Sequence, residues 1–473
     1  MLEKRKKKKN ILSLDIKPYK LLPQSLLTSL TNLPGFNPES FVRVHEQGDQ
    51  ITSIRLNPPK IFDLAAHSFL NNTTTIPWCG NGFYLKERPL FVTDPLWHAG
   101  AYYVQEASSM FIQHIISEIF PDPKNKIVLD LCAAPGGKST LLANYFNEGL
   151  VVSNETIKSR NAILVENITK WGSDRVVVTQ NDPSHFKALP NFFDLLVVDA
   201  PCSGSGLFRK DPDAINEWSE ESVLHCSTRQ ERILEDSVDT LKEGGYLIYS
   251  TCSYSFEENE KIMDFISDIP GMQNVDLSIS ENWNIVVTES PNAKAKGFRF
   301  YPDQIKGEGF FVCVFQKQNN PSTTFYQSTF NWNIITKNES AVLADHLVLP
   351  SSYEYINHQN TIIAVPLDMV MPIKTLLSHL YVKKMGMALG ELKGKDLIPH
   401  HALAMSHWVN KPFGKIVVDQ ETALQYLRRA DIHLDGAIGW TGVYYHQILL
   451  GWAKLLPNRT NNYYPTAWRI LKY

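Results

Sequence analysis

Between residues 127 and 250 the chain repeats one pattern: a short apolar run, a turn rich in small or polar residues, then a mixed segment long enough for a helix. The runs are 127–131, 150–153, 176–179, 195–198 and 246–250. Continuous apolar runs, as opposed to alternating ones, belong to strands buried on both faces. Five of them separated by helices predict an α/β fold with a parallel, doubly wound, Rossmann-like sheet. After 250 the pattern changes. Runs at 284–288 and 310–315 follow without a clear crossover helix, which predicts an antiparallel pair closing one edge of the sheet. The stretch QKQNNPSTT (316–324) is polar, contains Pro321 and reads as a linker. The first hundred residues mix short apolar runs with turn signals (Leu33-Pro34-Gly35, Asn57-Pro58-Pro59, Gly80-Asn81-Gly82) and predict a small α+β domain. There is no internal repeat. The expected organisation is an α+β domain over 1–100, the parallel-sheet domain over 101–318 and a third region over 325–473, in keeping with about 150 residues per domain for a chain of 473.

Composition removes some classes of protein. With 43% hydrophobic and 20% charged residues the chain is globular, and no stretch approaches the ~18 uninterrupted apolar residues of a membrane-crossing helix. MLEKRKKKKN at the start is charged from its third residue and is followed by no apolar core before Pro18, so it does not read as a secretory signal. Its run Lys4 to Lys9 reads as a solubilising end, with an RNA-seeking tail or a nuclear address as lesser readings. Six cysteines show no CxxC pair and no zinc spacing, so no metal is expected. A reduced, cytoplasmic setting is the default, with a monomeric protein.

The net charge of −3 argues on its face against a nucleic-acid protein. It conceals an asymmetry: residues 1–100 carry +5, residues 101–320 carry −12 and residues 321–473 carry +4. An acidic centre lies between basic ends.

Ligands of open α/β sheets bind beyond the carboxyl ends of the strands. After the first run comes Asp130-Leu-Cys132-Ala133-Ala134-Pro135-Gly136-Gly137-Lys138-Ser-Thr, a turn of small residues opening a helix. It is not a dinucleotide GxGxxG turn. Nor is it a Walker loop, which would need glycine where Cys132 stands. The second run ends at Glu155, about twenty residues beyond the glycines, where a carboxylate can accept both hydroxyls of a ribose. The third ends at Asp182, where an adenine amino group could donate. Each signal alone is weak, and a solvated carboxylate is its ordinary explanation; in order they describe a nucleoside pocket. No cluster of cations suits a triphosphate, while Lys138 and Asp130 could pair with the carboxylate and ammonium of an amino acid. S-adenosylmethionine therefore fits better than ATP or NAD.

The fourth run leads into Asp199-Ala-Pro-Cys202 and the fifth into Ser250-Thr-Cys252. A cysteine beyond a strand end is usually inert. Two of them with a carboxylate suit methylation of a pyrimidine at C5, a carbon too electron-poor to attack a sulfonium unaided. A thiolate adds to C6, an acid at N3 takes up the developing charge, C5 accepts the methyl, and a base removes the C5 proton so that the thiolate leaves. One cysteine is then the nucleophile, Asp199 suits N3, and the second thiol assists release. The target base must leave its stack to reach such a pocket. Cys79, Cys226 and Cys313 read as packing residues.

HAGAYYVQEASSM (98–110), DLCAAPGGKST (130–140), DAPCSGSGLFRKDPDAINEWS (199–219), QERIL (230–234), STCSYSFEENE (250–260) and RFYPDQIKGEGFFV (299–312) together resemble the blocks of the NOL/NOP/Sun family of RNA cytosine-C5 methyltransferases. The resemblance implies an S-adenosylmethionine methyltransferase fold, with Cys252 as nucleophile and Cys202 promoting product release. It also implies cofactor contacts from Cys132 through Lys138, Glu155, Asp182 and Asp199, with Arg160 in support. The segments 390–404 and 450–465 are similar to the C-terminal region of the subgroup acting on bacterial 16S ribosomal RNA, which contains a β-rich, PUA-like RNA-binding module. Trp440, Trp452, Tyr463, Tyr464 and Trp468 stand there among Lys454, Arg459 and Arg469, as base-stacking platforms or as the core of a small β-barrel. The implied substrate is a cytidine of 16S ribosomal RNA. The same chemistry on tRNA or another RNA, or a ribosome-assembly protein without turnover, are the rival readings.

Overall fold

The computed structural model describes residues 22–60, 73–318, 326, 328, 330–406, 408 and 413–471. The Lys4 to Lys9 run and most of the expected linker lie outside the described residues.

The central sheet contains β1 (Ile127–Asp130), β2 (Leu150–Asn154), β3 (Val176–Thr179), β4 (Phe193–Asp199), β5 (Leu241–Thr251), β6 (Met272–Asn274), β7 (Val286–Glu289), β8 (Lys296–Phe300), β9 (Phe310–Lys317) and β10 (Val382–Lys384). Its order is β7-β8-β9-β5-β4-β1-β2-β3-β10, with β6 also on β9. Strands β5-β4-β1-β2-β3 are mutually parallel, as the five apolar runs predict. Alternate side chains explain the unbroken apolarity. Val128, Val151 and Val197 face one core with Leu141, Leu164 and Ile168 of the helices Gly137–Tyr145 and Lys158–Trp171. Leu129, Val152 and Val198 face another with Leu234 of Glu220–Ser237 and Ile262 and Ile266 of Glu260–Asp268.

Three expectations are corrected. The antiparallel pair is not a pair: β8 lies between β7 and β9 and bonds to both. Its sequence, Lys-Gly-Phe-Arg-Phe, conceals a strand because Arg299 is buried, neutralised by Glu260. Second, Gln316 and Lys317 end β9 and do not belong to a linker; Lys317 Nζ donates to the Leu241 carbonyl at 2.8 Å. Third, the far edge of the sheet is supplied from downstream, since β10 pairs antiparallel with β3.

The N-terminal part is a four-stranded antiparallel sheet in the order Thr74–Ile76, Cys79–Leu85, Thr52–Leu56, Tyr102–Val104, so its last strand lies beyond residue 100. After β9 come a five-stranded sheet (Asn333–Ile334 to Asp396–Pro399) and a four-stranded one (Gly414–Val418 to Arg459–Asn462). The first and last parts of the chain share a core: Ile54, Leu56 and Leu96 pack with Tyr426, Val443 and Leu450. The described N-terminal and C-terminal parts thus form one body. Among the C-terminal aromatics, Trp452 and Tyr464 are buried core residues. Tyr463 is exposed and meets Trp440 with ring centroids 4.4 Å apart, and Lys454 lies over the Trp440 ring. Among the described residues no helix is long and apolar enough to cross a membrane, and no group of three or more His, Cys, Asp or Glu could hold a metal ion.

Candidate active site

The parallel register of β4 and β5 sets Asp199 opposite Ser250, so the loops leaving these two strands start side by side. Cys202 and Cys252 meet there with their Sγ atoms 3.1 Å apart, both as free thiols. Their backbones are tied together: Ala200 N–H donates to the Ser250 carbonyl at 2.8 Å and Gly206 N–H to the Cys252 carbonyl at 2.7 Å. Gly206 is required by close approach, since a Cβ there would lie 2.5 Å from the Cys252 oxygen and 2.6 Å from the Gly309 oxygen. The hydrogen bond with Cys252, reinforced by burial, holds the Cys202 thiol well above its usual range, so Cys202 is neutral at pH 7. Cys79 and Cys313 are buried in the cores, as expected of packing residues.

Asp199 accepts from Lys138 Nζ at 2.7 Å and from Ser250 Oγ at 2.9 Å. Lys138 in turn lies over the Phe310 ring, 5.2 Å from its centroid. The lysine is therefore committed to Asp199, where the sequence suggests pairing with an amino-acid carboxylate.

The loop after β1 forms one wall of a cavity of about 180 Å³ lined by Asp130, Cys132, Ala133, Ala134, Pro135, Gly137, Lys138 and Asp199. Gly136 does not line it. It adopts φ +115° at the start of the Gly137–Tyr145 helix, a conformation that a side chain would strain. Asp130 is fully buried. Ser139 Oγ donates to its Oδ2 at 2.6 Å, while Oδ1 has no partner. Burial raises its pKa to about 7. An orphaned buried carboxylate oxygen beside a loop of small residues suits a cationic amino group, and so fits the methionine end of S-adenosylmethionine. Burial also pushes the Cys132 thiol up, which leaves it neutral.

Glu155, Arg160 and Asp182 do not line this cavity. Arg160 pairs with Glu155 at 3.4 Å and donates to the Ala134 carbonyl at 2.8 Å, so it braces the loop against the end of β2. Glu155 also accepts from Ile157 N–H at 2.9 Å. Asp182 caps the turn Pro183–Ala188: its Oδ1 accepts from Ser184 N–H and Oγ at 3.1 and 2.7 Å, and its Oδ2 meets Arg232 at 3.4 Å. The hydrogen bond from Ser184 lowers its pKa. A larger cavity, about 630 Å³, lies where Asn57, Trp171, Tyr353 and Trp408 converge, and none of the candidate residues lines it.

The opposite wall of the small cavity comes from Tyr103, Val104, Gln105, Glu106 and Ser109, which composition and spacing do not single out. Behind them sits Arg55, buried and, among the described residues, with no carboxylate partner. It donates to Gln105 Oε1 at 2.9 Å, to the Gly137 carbonyl at 3.1 Å and to Thr140 Oγ1 at 2.5 Å, and stacks 4.7 Å from the Trp171 ring. The N-terminal sheet thereby holds the first turn of the Gly137–Tyr145 helix.

Residues 22–107 match the N-terminal domain of 16S rRNA methyltransferase RsmF, residues 119–316 the family 16S rRNA methyltransferase RsmB/F, and residues 413–470 the methyltransferase RsmF PUA domain. Among solved structures, a methyltransferase homolog from Pyrococcus horikoshii aligns with TM-score 0.50 and 29% identity over 63% of this chain and 100% of its own. NSun6 from the same organism shares the fold, with TM-score 0.53 and 20% identity over 63% of this chain and 99% of its own. The ribosomal RNA small subunit methyltransferase F of Psychromonas ingrahamii is 31% identical, with 94% of this chain and 96% of that protein covered. Its Vibrio cholerae counterpart is 30% identical, with 87% and 90% covered. From its N-terminal sheet through the two neighbouring thiols to its C-terminal module, the chain belongs to the ribosomal RNA small subunit methyltransferase F family.

Proposed function

We propose that this protein transfers a methyl group from S-adenosylmethionine to C5 of a cytidine in 16S ribosomal RNA, through a covalent adduct between Cys252 and C6 of the base. The observation that carries the reading is the meeting of two free thiols 3.1 Å apart beyond the register pair of Asp199 and Ser250. Membership of a ribosomal RNA methyltransferase family supports the substrate class.

S-adenosylmethionine, when bound, supplies an electrophilic methyl group. Cys132 to Pro135, Gly137 and Lys138 would hold it, with Asp130 on its ammonium. Asp199, fixed between Lys138 and Ser250, is the carboxylate assigned to N3 of the cytosine, where the developing charge is taken up. With N3 taking up the developing charge, the Cys252 thiolate adds to C6, and that addition makes C5 an enamine-like carbon that attacks the methyl group. Cys202, in contact with Cys252, is assigned to the last step, in which a base takes the C5 proton and the freed electron pair expels the Cys252 thiolate.

The basic ends of the chain are the region assigned to RNA affinity. The test is transfer of a labelled methyl group to small-subunit ribosomal RNA, followed by mapping of 5-methylcytidine. Label found only in tRNA would replace the substrate, and label in no RNA would remove the enzymatic reading.

A further inference from the structure

Glu258, in the segment after Cys252, has no exposed surface, and the chemistry above gives it no task. Its two carboxylate oxygens accept four hydrogen bonds. Oε1 takes Ser203 N–H at 2.8 Å and Gln230 Nε2 at 3.1 Å; Oε2 takes Ser203 Oγ and Ser253 Oγ, each at 2.5 Å. Ser203 directly follows Cys202, and Ser253 directly follows Cys252. Gln230 Nε2 also donates to the Pro201 carbonyl at 3.0 Å, on the other side of Cys202. One carboxylate therefore grips the neighbours of both thiols. Its own position is fixed independently, since Tyr249 O–H donates to the Glu258 carbonyl at 2.7 Å and Asn259 Nδ2 to the Ser253 carbonyl at 2.8 Å.

We propose that Glu258 is a positioning residue that holds the loop carrying Cys202 against the loop carrying Cys252 and so sets the contact between the two sulfur atoms. Without it, the described side-chain link between these serines is a single contact of 3.3 Å between Ser203 Oγ and Ser253 Oγ. All four partners of Glu258 are donors. An amide in its place would keep its oxygen for the two N–H donors only if its NH2 faced the serine hydroxyls and both turned to accept, which exchanges charge-assisted hydrogen bonds for weaker neutral ones. The inference rests on the reading of Cys202 and Cys252 as the reacting pair, but the clamp itself can be measured without turnover.

The experiment uses the full chain with Glu258→Gln, Glu258→Asp, Ser203→Ala and Ser253→Ala. Cross-linking of Cys202 to Cys252 by diamide, which takes up the two thiol hydrogens as the disulfide forms, is followed by peptide mass. Turnover is measured in parallel. Glu258→Gln is expected to slow cross-linking several-fold and to lower kcat by about tenfold to a hundredfold, as misplacement of reacting groups by an ångström does, while KM for S-adenosylmethionine stays within about twofold. Glu258→Asp, which keeps both oxygens on a shorter arm, recovers part of the cross-linking rate, and each serine variant loses part of it. Should Glu258→Gln fail to fold, the serine variants carry the same measurement. Cross-linking at the unaltered rate in Glu258→Gln and in both serine variants overturns the clamp. Slowed cross-linking with kcat intact upholds the clamp and counts against the thiols as the reacting pair.

Discussion

Cys202 and Cys252 are separated by fifty residues of chain, yet their sulfur atoms stand 3.1 Å apart because the strands that deliver them are parallel neighbours. The two positions are chemically similar in sequence and are separated by their surroundings, so exchanging the assigned roles gives different outcomes. Cys252→Ser is expected to abolish methyl transfer, since a hydroxyl is a far weaker nucleophile at neutral pH. Cys202→Ala is expected to leave protein covalently attached to RNA, seen as a slow band in a denaturing gel. Trapping by Cys252→Ser in place of Cys202→Ala would reverse the assignment.

Asp130 gives a pH signature. Its ordinary pKa of 3.8 rises to about 7 on folding through burial, so the folded state holds the proton more tightly than the unfolded state. The associated stability is fully present below about pH 4 and is lost as pH rises through 7, by about 4 kcal/mol at most. Asp130→Asn should flatten this loss, so that its melting temperature relative to the parent chain climbs between pH 4 and pH 8. An ammonium placed against Asp130 would ionise it, so calorimetry in two buffers of different ionisation enthalpy should show proton release on binding S-adenosylmethionine near pH 6.

Arg55 reaches the cofactor loop from the N-terminal sheet. Arg55→Met keeps the bulk of the side chain and leaves Gln105 Oε1 and the Gly137 carbonyl without this donor. The affinity for S-adenosylmethionine should fall about tenfold, the equivalent of one lost charge-assisted hydrogen bond. Titration calorimetry checks it, and unchanged affinity would limit Arg55 to a role in stability.

Arg299 and Glu260 form an ion pair with both side chains about 2% exposed, and Arg299 Nη1 donates to the Tyr254 carbonyl at 2.7 Å, two residues beyond Cys252. Glu260→Ala should cost about 3–5 kcal/mol in urea unfolding by leaving a buried cation unpaired. Glu260→Leu with Arg299→Met should recover most of the loss.

These residues also mark where the sequence stops being legible. The five parallel strands are readable because burial on both faces makes each an unbroken apolar run. The thiols and Asp199 are readable because they follow such runs. Strand β8 is hidden by Arg299 and β10 by its two lysines, Lys383 and Lys384, because a buried or edge-pairing cation looks like a surface residue until its partner is known. Arg55 and Glu258 are missed for the same reason: apart from Ser253, five residues before Glu258, their partners lie 28 to 85 residues away. Asp182 shows the opposite case. Asp-Pro-Ser is a local capping signal, and that structural duty, legible from sequence, is what its carboxylate performs with Ser184.

Strand β3 contains three consecutive valines, and its outer edge is covered by β10, whose first residue lies some two hundred positions downstream. During synthesis every other parallel strand finds its neighbour soon after emerging, whereas this edge stays open until residue 384 is free to pair. An uncovered valine edge invites pairing with another chain. The C-terminal region therefore completes the methyltransferase sheet as well as extending it. A chain ended after β9 is expected to appear in the insoluble fraction, whatever its ability to bind RNA.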